Sequence, residues 1–327
     1  MPVCGQADTV SHKRYARIDQ IPITTARRIT RGKLICGAGV QFLGQHWRLE
    51  WRSGESCQTF GRSWRMDTTS DRLRVGALDF EVTSLGQAVE RTINDALSER
   101  QQHVHLANAW SIALADDDAE LREVFGSGRN YPDGKPVVWA MRWLGGRNAT
   151  GRPGRVYGPA FFERVLEEGV SRGVKHYFLG STPETLEKLQ RNLHERFPGI
   201  DIVGVSSPPF KEFTHDDYAN ELSKIETSRP HIVWVGLGTP KQDKAAAYLA
   251  SHYSAIFACV GAAFDFSSGN LRDVPLWIQN AGLAWLFRLV QEPRRLWRRY
   301  TYGNAKFVLI VLSQLIRHHY TAQLRAH

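Results

Sequence analysis

HIVWVGLGTPKQD (residues 231–243) and AIFACVGAAFDFSSG (residues 255–269) decide how this chain folds. Each opens as a continuous apolar run, the pattern of a strand buried on both faces of a parallel sheet, and then breaks into glycine and small residues. The carboxyl ends of such strands are where open α/β sheets bind ligands. Gly236 and Gly238 let backbone approach a ligand closely, Pro240 suits the first turn of a helix, and free amides at that helix start would face an anion. The expected guest is a nucleotide diphosphate. With only Gly236 and Gly238 before Lys241, the stretch is neither a dinucleotide fingerprint nor a Walker A loop, and the glycines alone are equally compatible with a tight βα turn.

Around these segments the chain alternates. Strands are expected at 103–107, 175–179 and 200–205, and helices at 88–97, 136–144, 161–168, 183–196, 216–225 and 240–251. A helix-compatible stretch runs to about Phe125, followed by a polar break from Gly126 to Gly134. Such alternation over short loops argues for an α/β, Rossmann-like fold, a mostly parallel sheet with helices on both faces. After Asp265 the strands stop, and 275–316 reads as helices carrying Trp277, Trp285, Phe287, Trp297, Tyr300, Tyr302 and Phe307. Three parts are therefore expected: a poorly ordered or partly structured extension over 1–70, with a strand or hairpin within Val40–Trp51; an α/β body over 71–270; and a helical, basic and aromatic appendage over 271–327.

The formal net charge is +9, and it sits at the ends. Residues 1–75 hold 13 Lys/Arg against 6 Asp/Glu and residues 288–327 hold 8 against 1, which leaves the middle at −5. A mildly acidic body with a basic aromatic tail suits an anionic, partly apolar partner such as a membrane surface or a lipid pyrophosphate. Nothing resembles a recognition helix, zinc knuckle or RNA-binding sheet motif, so no nucleic-acid partner is expected. Cys4, Cys36, Cys57 and Cys259 show no CxxC spacing, so a reducing compartment and no structural zinc are expected. The first twenty residues lack the apolar core of a signal peptide, and the longest tail run, Phe307–Leu312, is far short of the ~20 apolar residues that span a bilayer.

Asp133 lies in the turn signal Tyr131–Gly134 at the expected rim of the sheet, where a carboxylate can act as a general base or simply cap a turn. Asp265 ends the second apolar run at the same rim, placed for a sugar hydroxyl or for capping. Neither belongs to an Asp-x-Asp pair, and Asp116–Asp118 read as a solvated helix start, so a metal-held diphosphate is not favoured. Arginine can neutralise a leaving diphosphate in place of a metal. Arg288, Arg295 and Arg298, seven and three apart, fall near one face of a helical segment that Pro293 bends. They alternate with Leu286, Phe287, Leu289, Leu296 and Trp297, the composition of an interfacial helix.

From about Leu73 to Leu315 these landmarks are similar, in order, to those of the WecG/TagA/CpsF family of bacterial glycosyltransferases, which build cell-surface polysaccharides. They are Asn108, PDGKPVVW (132–139), RVYG (155–158), VGLGTPKQ (235–242), VGAAFDFSSG (260–269) and GLAWLFRLVQEPRRLWRR (282–299). The resemblance implies an inverting, metal-independent transfer from a UDP-sugar to a polyprenyl-diphosphate-linked sugar at the inner face of the cytoplasmic membrane, with no cofactor. It implies that Asp133 is the base, that Arg155, Gln242, Gly236, Gly238 and Gly261 lie at the donor pocket, and that Arg288, Arg295 and Arg298 close over the diphosphate. The chain departs from the pattern at Leu106 and Ala160, both bordering the expected sugar site, and residues 1–70 have no counterpart in it.

Two other readings stand beside this one: an NAD-dependent enzyme modifying nucleotide sugars, suggested by the alternation, and a non-enzymatic protein binding membrane or nucleic acid through its basic ends. A homo-oligomer is left open. If the tail only clamps the diphosphate, its removal after about Gly282 leaves the body folded; if its aromatic residues are core, the body unfolds.

Overall fold

The computed structural model describes residues 38–43, 46–51, 72–145, 152–272 and 274–326. The chain divides into two units, 1–68 and 69–327. In the first, β1 (Ala38–Leu43) and β2 (His46–Trp51) pair antiparallel, from Ala38 opposite Trp51 to Leu43 opposite His46, which supplies the hairpin expected there. The other expectations for the extension lie outside the described residues.

The second unit runs β3 (Arg72–Val75), β4 (Leu78–Glu81), α1 (Leu85–Leu97), β5 (Gln102–Ala107), α2 (Ala109–Asp117), α3 (Ala119–Ser127), β6 (Arg129–Pro132), α4 (Lys135–Gly145) and α5 (Gly158–Val170). It continues through β7 (Lys175–Gly180), α6 (Pro183–Arg196), β8 (Asp201–Ser206), α7 (His215–Ser228), β9 (Ile232–Gly236), α8 (Lys241–His252), β10 (Ile256–Cys259) and α9 (Ala263–Ser267). Three further helices follow: α10 (Leu276–Asn280), α11 (Ala284–Gln291) and α12 (Pro293–Ala326). The eight strands form one sheet in the order β3-β4-β6-β5-β10-β9-β7-β8. Only β3 runs antiparallel to its neighbour.

The apolar run of β9 is explained by its two faces. Ile232 and Trp234 enter a core with Phe161, Phe162, Phe178 and Phe264. Val233 and Val235 enter the opposite core with Leu249 and Phe257. With both faces covered, the period-2 alternation of a half-exposed strand has no reason to appear. Helix starts follow local chemistry: the Ser84 hydroxyl accepts from the Gln87 amide while the Gln87 side chain accepts from the Ser84 amide, and Thr182 caps α6 ahead of Pro183.

The polar break at Gly126–Gly134 is corrected: it contains β6, a central strand between β4 and β5. Its sequence, RNYP, conceals this because its first two side chains are polar and find partners elsewhere in the fold. Arg129 pairs with Asp95 at 2.6 Å, and Asn130 donates to the carbonyls of Asp79 (3.0 Å) and Phe125 (2.9 Å). The β3–β4 hairpin likewise carries too few residues per strand for its pattern to stand out.

The tail is built into this unit. Phe307 and Val311 are buried with Val75, Leu78, Phe80, Ile112 and Met141. Gln314 accepts from the Gly76 amide (2.8 Å) and donates to the Arg74 carbonyl (2.9 Å), so α12 is stitched to the β3–β4 turn. Asp116 and Asp117 are exposed, as read, and also pair with Lys306, and Asp117 accepts from the Tyr302 hydroxyl at 2.9 Å. Asp118 does cap the start of α3.

Candidate active site

The loops that leave the carboxyl ends of β5 to β10 enclose a cleft of about 1380 Å³. Asn108 reaches it from β5, Asp133 from β6, Gly236, Gly238 and Gln242 from β9, Gly261 from β10 and Asp265 from α9. Arg288, Arg295 and Arg298 close it from α11 and α12, so the break at Pro293 does not separate them. Arg155 lies apart from these, in an adjoining cavity of about 110 Å³ that shares Asn108, Asp133 and Arg288 with the cleft. The two spaces meet at Asp133.

Asp133 is the first residue after β6, and its amide donates to the Ala107 carbonyl at 2.9 Å, which locks it to the end of β5. Burial pushes its carboxyl above the usual carboxylate range; Arg155, then Arg299 and Arg288, and the Gly158 amide pull it part of the way back. A raised carboxyl with arginines around it is suited to taking a proton near neutral pH. Asn108 spends its side-chain oxygen on the Trp110 amide (3.0 Å) as the cap of α2, so its amide nitrogen is the end left to face the cavities.

The glycine loop after β9 is tighter than a phosphate cradle. A Cβ on Gly236 would sit 2.7 Å from the Phe264 ring, and Gly238 has φ +78, the left-handed region that glycine adopts without strain. Gln242 pins this loop: its side-chain oxygen accepts from the Gly238 amide (3.1 Å), its side-chain nitrogen donates to the Thr239 hydroxyl (3.3 Å), and its own amide donates to the Gly238 carbonyl (2.9 Å). The amides of Asp243 and Lys244 donate to the Pro240 carbonyl. Of the amides in the first turn of α8, those of Gln242 and Asp243 thus already have protein acceptors, which cuts back the expectation of free amides at this helix start. Asp265 is corrected too: FDFSSG forms α9 rather than a strand end, and Asp265 faces Arg295 and Arg288 with its carboxyl raised by burial.

Beneath the loop lies a buried chain of polar groups that the sequence does not announce. His103 Nδ1 is 2.8 Å from His105 Nε2, and His105 Nδ1 is 2.7 Å from Asp243. With Nδ1–H of His105 donating to Asp243, Nε2 of His105 is left to accept from His103. The chain ties the first turn of α8, and with it Gln242, to β5. His105, Asp243 and Cys259 place one ligand atom each within 4.8 Å of one another. All three already hydrogen-bond within the protein: His105 uses both ring nitrogens, Asp243 pairs with His105, and the Cys259 thiol donates to the Gln242 carbonyl at 3.4 Å.

Arg299 is the site residue missed in the sequence, although it follows Arg295 by four positions, one helical turn. It lines both cavities, and burial pulls its pKa down.

An open parallel sheet with a cleft at its carboxyl ends, walled by a raised carboxyl and several arginines, defines an α/β enzyme of the kind that handles anionic substrates. The sequence model described as the Glycosyl transferase WecG/TagA/CpsF family matches residues 73–321, and the chain belongs to that family. It is a glycosyltransferase of cell-surface polysaccharide synthesis, acting on a sugar donor and an acceptor. This sets aside the NAD-dependent and non-enzymatic readings.

Proposed function

We propose that the enzyme transfers a hexose or N-acetylhexosamine from a UDP-sugar to a polyprenyl-diphosphate-linked acceptor, with inversion and without a metal. The observation that carries this reading is the placement of Asp133 where the large cleft and the small cavity meet. A donor in the cleft and an acceptor reaching Asp133 from the other side suit a single displacement. Asp133 takes the proton of the acceptor hydroxyl, the hydroxyl oxygen bonds to the anomeric carbon, and the bond to UDP breaks with its electrons leaving on the diphosphate. The surrounding arginines supply the positive charge that the departing diphosphate needs. Leu106 lines the cleft and Ala160 does not, so of the two departures from the family pattern Leu106 bears on the choice of sugar.

The test is a thermal-shift and calorimetric screen against UDP, a panel of UDP-sugars and NAD with no metal added. UDP and one UDP-sugar are expected to raise the melting temperature and NAD to leave it unchanged. Stabilisation by another nucleotide sugar alone would replace the UDP assignment.

We also place the enzyme on the cytoplasmic face of the inner membrane as a peripheral protein. No helix among the described residues is long and apolar enough to cross a bilayer. Beside Arg288, Arg295 and Arg298, the tail exposes Trp277 (71 %), Val290 (74 %) and Trp297 (54 %), apolar surface next to positive charge. The full chain is expected to sediment with anionic phospholipid vesicles, and the double variant Trp277→Asp, Val290→Asp to remain in the supernatant. Equal sedimentation of both proteins would remove this face as the contact.

A further inference from the structure

Trp110, in the first turn of α2, borders both the large cleft and the small cavity, as Asp133 does. The tail holds its ring in place. Gly303 of α12 lies flush against the indole, where an added Cβ would sit 2.7 Å from a ring carbon. The Tyr302 ring meets Trp110 edge to face with centroids 6.5 Å apart, and the Tyr302 hydroxyl donates to Asp117, further along α2, at 2.9 Å. An aromatic wall fixed in advance loses little freedom when a ligand packs on it. Asn304, the residue after Gly303, also lines the small cavity, and among the described residues its side-chain amide has no hydrogen-bond partner.

The small cavity, about 110 Å³, falls below the roughly 300–1,000 Å³ of pockets that hold drug-sized ligands, so it admits one ring rather than a nucleotide. Beside the arginines, its walls combine the indoles of Trp110 and Trp285 with the neutral carboxamides of Asn108 and Asn304 and the carboxyl of Asp133. A pyranose has the matching chemistry. Its C–H faces are apolar and pack on an aromatic ring, and its rim of hydroxyls both donates and accepts, as a carboxamide does. Trp110 and Asn304 both fall outside the stretches that carry the family resemblance.

We propose that the small cavity is the subsite for the terminal pyranose ring of the acceptor, with Trp110 as its stacking wall and Asn304 as the amide that reads a ring substituent. The ring so held presents a hydroxyl to Asp133. The subsite deepens the transferase reading above, on which its assignment to the acceptor rests.

The experiment titrates the full chain with the methyl α-pyranosides of glucose, galactose, mannose and N-acetylglucosamine, followed by ligand-observed NMR with and without UDP. At least one of the four is expected to bind wild type. Loss of the stacking contact predicts about tenfold weaker binding of that sugar in Trp110→Ala and binding within about threefold of wild type in Trp110→Phe. Asn304→Leu, which keeps the size of the side chain, is expected to weaken it by about three- to tenfold with an unchanged melting temperature. That arm decides the matter if Trp110→Ala, which opens a gap beneath α12, fails to fold. UDP affinity should stay within about twofold of wild type in every folded variant. The proposal is overturned if no pyranoside binds, if folded Trp110→Ala or Asn304→Leu binds the sugar as wild type does, or if UDP is weakened as much as the sugar, which would put the donor on the indole. Sugar binding that depends on both residues in a protein that ignores UDP would keep the subsite and remove the UDP donor, whereas UDP binding without any pyranoside binding would do the reverse.

Discussion

Asp133→Asn is expected to lower kcat by about 10²–10⁴-fold, the range that a general base contributes, while leaving UDP binding within about twofold of wild type. The amide keeps the size and most of the contacts of the carboxyl, including the lock of the Asp133 backbone to Ala107, so a loss of turnover reports the missing proton acceptor rather than a rearranged loop. The pH profile carries the same information. Burial raises the Asp133 carboxyl, so kcat/KM should fall as pH drops through a value above the ordinary aspartate range. Stability moves in the opposite sense. The native state holds this proton more tightly than the unfolded chain, so the contribution of Asp133 is fully present below the unfolded pKa and lost as pH rises through the folded one. The asparagine variant should therefore melt at or above wild type at neutral pH. Wild-type turnover by that variant would remove Asp133 from the mechanism, and a lowered melting point together with weakened UDP binding would recast it as structural.

Removal of everything after Gly282 is expected to unfold the α/β body rather than leave it folded and inactive. The truncation strips Phe307 and Val311 from a core that includes Phe80 and Ile112, and it cuts the Gln314 bonds that hold the β3–β4 turn. The milder form of the same test is Phe307→Ala. Truncating a buried phenylalanine costs about 3–5 kcal/mol, and at about 2–4 °C per kcal/mol in a domain of this size the melting temperature should fall by about 6–20 °C. A truncated protein with native circular dichroism and a cooperative melt would show that the tail is a detachable appendage after all. The structure assigns the two roles to different parts of one helix: Trp297, near its start, is exposed beside the arginines, whereas Phe307 and Val311 are buried.

β9 and β10 were the most legible strands in the sequence because burial on both faces demands unbroken apolar runs, and 231–235 and 255–260 have no other use; β5, β7 and β8 were expected from shorter runs. Motif order made the family legible as well, and pointed to Asp133 and Gln242 at the carboxyl ends of the sheet and to Arg288 in the tail that covers them. What the sequence withheld was set by contacts between residues far apart in the chain. β6 can lie in the middle of the sheet because Asp95 pairs with Arg129 and the Asp79 carbonyl accepts from Asn130, partners 34 and 51 residues away that no local pattern encodes. Gln242 works through the Gly238 amide rather than by touching an anion through a free helix start, because the loop folds back on itself. That Arg299, and not Arg298, lines both cavities depends on how α12 is rotated, and packing at Leu296, Phe307 and Val311 sets that rotation. Composition and order determined the class of protein and the strand ends at which its chemistry gathers. Tertiary packing alone decided which charges are buried, since desolvation depends on what surrounds a residue in space and not on its neighbours in sequence.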